Sequence, residues 1–318
     1  MILRDFRLQK GSSDKPTVVL IHGFGMSGHF WEHPEACLVL GGLAPLSAFL
    51  ADQPPSSRKK AISQGLLLAE QPGMAERLAR DGFSVVSWSQ SAPLGSVTLA
   101  VNELAEVVRR VKEMLPGPPL WLICHSRGGL IARYFILSRP SVEVAGCITL
   151  GTPHHGTELA SLSRYLRPVG NFLQKIFKAP DRESRIGGAL QRIGNFLSSE
   201  AIVELKPGSG LLASLEKPIP SQIALFSSGG TNPDLFSFYF RTTEGWKRLV
   251  FPDFFLRLLP NKKIPFELMA GAGDGLVSAA SARLADAEHR DYDLNHVQLA
   301  FDSDVYQWVR SILAGEGR

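Results

Sequence analysis

The chain has 318 residues, 44% of them hydrophobic and 20% charged, with a net charge of +4. That balance suits a globular protein with a large core and excludes a disordered chain, and so small a net charge gives no case for nucleic-acid binding. Eight histidines and three cysteines show no metal-ligand spacing, and the odd, partly apolar-flanked cysteines read as reduced thiols.

The N-terminus carries Arg4, Asp5 and Arg7 where a signal peptide needs an apolar core, and no apolar run approaches ~18 residues. A cytoplasmic protein is the expectation. Ile2 to Gln9 alternates loosely, as an edge strand does, and Thr17 to Ile21 is a β-branched run suited to a strand covered on both faces. The run ends in the glycine-rich loop His22-Gly23-Phe24-Gly25. Residues 33–72, rich in proline and small residues, read as an irregular insert with short helices. A helix is expected around Met74 to Arg80 and a strand at Phe83 to Trp88. Between Val97 and Met114, apolar residues at Val101, Leu104, Ala105, Val108 and Val111 keep the three-to-four spacing of one buried helical stripe. The strand at Leu120 to His125 leads into a helix over about 128–137, and Val144 to Leu150 makes another strand. Strand and helix in alternation imply a mostly parallel sheet covered on both faces.

Beyond Gly151 the rhythm changes. Residues 157–262 hold few strand-like runs apart from Gln222 to Ser227. An amphipathic stripe runs from Val169 to Phe177, and aromatic residues concentrate between Phe236 and Phe255. A helical subdomain packing its own core accounts for this stretch, and so does a lid whose apolar face covers a site. The sheet pattern resumes at Ile264 to Ala270, followed by the loop Gly271 to Ser278, a short strand at His289 to Asp293, the loop Asn295-His296-Val297 and a helix from Val305 to Leu313. The expected division is a core of 1–156 and 263–318, with 157–262 as a cap.

Ser126 stands where an apolar strand stops and a helix begins. A sharp strand-to-helix turn exposes its central serine above the sheet edge and tolerates only small residues two positions to either side; Cys124 and Gly128 qualify. A serine hydroxyl needs a base to take its proton, and the base needs an acid to orient it. In open parallel sheets reactive residues gather beyond the carboxyl ends of the strands. Ser126, Asp274 and His296 each follow an expected strand in the order serine, acid, histidine. Asp234 and Asp286 compete for the acid and His289 for the base.

Five stretches together resemble the lipases and esterases of the α/β-hydrolase superfamily, in particular bacterial triacylglycerol-lipase-like proteins. They are His22 to Gly25, Cys124 to Gly129, Leu150 to Thr157, Gly273 to Val277 and Asn295-His296. The resemblance implies an α/β-hydrolase fold, with a mostly parallel central sheet, helices on both faces and a helical cap or lid insertion. It also implies Ser126 as nucleophile, His296 as general base and then acid, Asp274 as orienting carboxylate, and the backbone N–H groups of Phe24 and Arg127 as the oxyanion hole. The implied substrate is an acyl ester or lipid, with transient contact at a lipid interface and no cofactor. Related bacterial lipases hold a structural calcium through an aspartate two positions beyond the histidine; Gln298 stands there, so no metal is expected. Ester hydrolysis through an acyl-enzyme is the leading expectation. Acyl transfer or thioester hydrolysis would use the same triad, and a catalytically silent binding protein is the alternative from another class.

Overall fold

A computed structural model describes residues 2–32, 38–39, 44–45, 72–161, 199–243, 245–251 and 264–316. Its strands are β1 (Arg4–Gln9), β2 (Thr17–Ile21), β3 (Leu38–Val39), β4 (Ala44–Pro45), β5 (Ser84–Ser89), β6 (Leu120–His125), β7 (Gly146–Leu150), β8 (Ala224–Gly230), β9 (Phe236–Thr242), β10 (Gly245–Phe251) and β11 (Glu288–Tyr292). Its helices are α1 (Met74–Arg80), α2 (Val97–Met114), α3 (Arg127–Ser138), α4 (Glu200–Glu204), α5 (Gly210–Ser214), α6 (Ala279–Ala282) and α7 (Ser303–Ala314).

Seven strands form one sheet in the order β1-β5-β2-β6-β7-β8-β11. Only β1 runs antiparallel to its neighbour; every other adjacent pair is parallel. The period-2 geometry of a strand divides the β2 run between two cores. Val18 and Leu20 face a cluster that includes Met74, Leu78, Val305 and Val309 from α1 and α7. Val19 and Ile21 face the opposite cluster, with Val101, Leu104 and Val108 of α2 and Ile131 and Phe135 of α3. A sheet covered on both faces explains why β2, β6 and β7 are buried at every residue. The α2 stripe expected from the three-to-four spacing is the one that packs here.

Three expectations need correction. Ile264 to Ala270 is no strand: Phe266–Leu268 is a single 3-10 turn. Pro265 removes a ladder donor and fixes its own φ at the start of that turn, and β8 and β11 pair directly, leaving no place between them. Second, residues 157–262 are not all insertion, because Ala224–Gly230 is an interior strand between β7 and β11. Third, the aromatic stretch is not helical where described. β9 and β10 form an antiparallel hairpin with Gly245 opposite Thr242, as the aromatic-rich Phe236-Ser237-Phe238-Tyr239-Phe240 favours. The insert expected over 33–72 lies outside the described residues except for β3, β4 and Pro72, and the stripe from Val169 to Phe177 lies wholly outside them.

No helix among the described residues is long and apolar enough to cross a membrane.

Candidate active site

The register of the central strands converges on Ser126. Cys124 of β6 lies opposite Ile21 of β2 and Thr149 of β7, and His125 opposite Leu150. One residue further, Ser126 adopts φ 55° and ψ −131°. A non-glycine residue at that angle is strained and persists only when its surroundings hold it. Two bonds do so: the Ser126 N–H donates to Leu150 O at 2.8 Å, and Thr152 Oγ1 donates to Ser126 O at 2.8 Å. The turn is also sterically closed. A Cβ at Gly128 would lie 2.4 Å from Ile21 O, and one at Gly23 would lie 2.8 Å from the Ser126 Cβ. The loop His22-Gly23-Phe24 thus packs directly against the serine.

His296 and Asp274 arrive from the far side of the sheet. His296 Nδ1 donates to Asp274 Oδ2 at 2.7 Å, with both residues buried. The Asp274 charge is balanced further by the N–H groups of Leu276 and Val277, which donate to Oδ1 at 2.9 and 2.7 Å. The His296 N–H donates to Asp274 O at 2.9 Å, so backbone and side chain tie the two loops together. Asp274 therefore reaches its place without a strand of its own: its Cβ lies 2.7 Å from where a Cβ on Gly230, the last residue of β8, would be. Asn295 fixes the histidine loop, its Oδ1 accepting from the N–H groups of Val297 and Gln298. Beneath the loop, His125 Nε2 donates to His296 O at 2.8 Å and the two rings are 4.8 Å apart. Ser126 Oγ and His296 share no hydrogen bond among the described residues, a common condition in ligand-free sites.

The rival residues make other contacts. Asp234 offers its backbone carbonyl to Asn295 Nδ2 at 3.0 Å. His289 bonds Ser227 Oγ and Asp291, and Asp286 is exposed in a loop. His22 buttresses the Phe24 loop, its Nδ1 donating to Gly23 O at 3.0 Å while Nε2 accepts the Gln90 N–H at 3.0 Å.

Burial pushes His22 down from its ordinary value to about 4, and it pushes His125 and His154 in the same direction. Folded His22 thus stays neutral where the unfolded chain takes up a proton near 6.5. Its stabilisation is complete above about pH 6.5 and is lost as pH falls from there towards 4, a loss of roughly 3 kcal/mol. Thermal unfolding is expected several degrees lower at pH 5 than at pH 7.5, with the slope reduced in His22→Asn. A melting temperature flat over that range would contradict this reading.

Sequence reasoning missed the side chain of Arg127. It is fully buried, donating to Gly95 O and, at 3.3 Å, to Glu204. The same carboxylate accepts the Val97 N–H at 3.0 Å, capping α2. No local pattern links positions 97, 127 and 204, so only the folded chain reveals this contact. Among the described residues no cluster of three or more His, Cys, Asp or Glu could hold a metal ion.

A family of unknown function, DUF7379, matches residues 67–213. The mature form of Bacillus licheniformis lipase BlEst2 is 17% identical, with 97% of each chain covered and a TM-score of 0.58. The metagenomic carboxyl esterase MGS0156 is 15% identical, with 96% of this chain and 72% of that one covered and a TM-score of 0.52. The fold is that of an α/β-hydrolase. Within it the turn at Ser126 joins β6 to α3, and the loops bearing Asp274 and His296 lie at the carboxyl ends of β8 and β11. At these identities the likeness speaks for the fold alone.

Proposed function

We propose that the chain is a lipase- or esterase-like serine hydrolase that cleaves carboxylic esters through an acyl-enzyme on Ser126. The observation that carries this reading is the 2.7 Å bond between His296 Nδ1 and Asp274 Oδ2, beside a serine held at positive φ. With Nδ1 protonated and bonded to the carboxylate, Nε2 is left as the basic nitrogen. Ser126 Oγ attacks the ester carbonyl carbon as its proton passes to His296 Nε2. The tetrahedral oxyanion takes hydrogen bonds from the N–H groups of Phe24 and Arg127, each worth roughly 10²–10³ in rate. Collapse expels the alcohol, protonated by His296. Water, activated by the same nitrogen, then attacks the acyl-enzyme and releases the acid.

Acyl esters or lipids are the substrates this reading implies, as the names of BlEst2 and MGS0156 also suggest. The stretch from 157 to 262, apart from β8, would act as the cap over the acyl chain. Ile264, Phe266 and Met269 are exposed on the turn before Asp274, Phe266 by 67%, and would contact a lipid interface beside the site. Hydrolysis of p-nitrophenyl esters of increasing chain length, with and without a lipid emulsion, tests the reading. Turnover is expected throughout the soluble esters, with a rate jump at the interface if the cap moves. No turnover of any ester would contradict it.

A further inference from the structure

A second pocket, of about 420 Å³, opens on the flank of the sheet between α3, the segment 208–219 and the turn before β11. None of Ser126, Asp274, His296 and Phe24 lines it. Its volume falls in the range of about 300–1,000 Å³ usual for small-molecule clefts. The polar floor is Arg133, on α3 two helical turns beyond Ser126, about 10 Å along the helix axis. Arg133 is 8% exposed. Its Nη2 donates to Leu215 O at 2.5 Å and its Nη1 to His154 Nδ1 at 3.3 Å. These bonds use two of the five N–H groups of a guanidinium.

Neither acceptor carries a charge. Burial holds His154 neutral, and its Nε2 bonds Thr149 Oγ1 at 3.1 Å, which fixes the tautomer that accepts from Arg133. No carboxylate lies within ion-pair reach of Arg133 among the described residues. Burial lowers the guanidinium's affinity for its proton, but an arginine remains charged. Buried charges in folded proteins are as a rule paired, so a buried guanidinium that lines a cavity, with no carboxylate beside it among the described residues, suits an anionic ligand. The remaining walls are largely apolar, with Leu212, Leu215, Ile219, Leu225 and Leu284. At the rim, Glu216 and Asp286 oppose an anion and Lys217 favours one. All three are exposed, so salt screens them more than it does Arg133.

We propose that this pocket is a ligand site distinct from the triad and binds a small amphipathic anion. A carboxylate or phosphate head sits on Arg133 and an apolar body lies along the leucine walls. Calorimetric titration of the full chain with octanoate, octyl phosphate and uncharged octanol tests this. At least one of the two anions is expected to bind one-to-one and at least tenfold more tightly than octanol. A preference for octanoate would identify a carboxylate head, and a preference for octyl phosphate a phosphomonoester. Arg133→Gln should weaken binding at least tenfold. Ala213→Trp should do so as well, because Ala213 lines the pocket from an exposed position on α5. That variant leaves Arg133 and its two bonds in place, so it decides the matter if Arg133→Gln does not fold. Octanol binding as tightly as the anions, no anion binding, or Ala213→Trp retaining wild-type affinity would overturn the proposal.

Discussion

Ser126→Ala is expected to lower kcat for p-nitrophenyl butyrate by about a million-fold, leaving only what the oxyanion donors and binding supply. Folding should survive the change. The bonds that hold the turn, from the Ser126 N–H to Leu150 O and from Thr152 Oγ1 to Ser126 O, are made by the backbone of residue 126. The side-chain oxygen makes no hydrogen bond among the described residues, so its removal strands no partner. Alanine meets the same steric objection at φ 55° as serine does, and the melting temperature should move little. Activity retained in the alanine variant would remove Ser126 from the mechanism.

The second large effect separates two aspartates. Asp274→Asn should cost about 10⁴ in kcat, because an amide can present its N–H to His296 Nδ1 and so favour the wrong tautomer. The geometry remains, and the base is lost. Asp234→Asn should stay within about tenfold of wild type, since the carboxylate that bonds His296 Nδ1 is that of Asp274. Measuring kcat for both variants on the same ester decides the point. Equal losses, or a larger loss at 234, would place the orienting acid elsewhere.

How much of this was legible beforehand depended on whether the signal was local. β2 and β6 could be read because a strand covered on both faces needs an unbroken apolar run, and α2 because one buried stripe needs three-to-four spacing. The tight strand-to-helix turn at Ser126 could be read from Gly128, whose missing Cβ is a requirement of the close approach to Ile21 O. Asp274 does bond His296, but the strand expected before it is absent. The apolar residues of Ile264 to Ala270 suggested a strand, whereas the turn at Phe266–Leu268 leaves Phe266 and Met269 exposed. Asp274 reaches its place by packing against Gly230 at the end of β8. β8 itself was visible at Gln222 to Ser227 but was grouped with the cap, because its place between β7 and β11 is a long-range fact that no window of sequence carries. The burial of Arg127 against Glu204 and of Arg133 beneath a pocket is of the same kind. Each depends on segments far apart in the chain, and an arginine looks alike in sequence whether it ends in water or in the core.

The most direct test of the nucleophile is covalent. The intact protein, treated with a fluorophosphonate and digested, should yield one modified peptide carrying the adduct on Ser126, with none formed in Ser126→Ala. Modification at another residue, or an unmodified wild-type protein, would contradict the assignment of Ser126 as the group that receives the acyl chain.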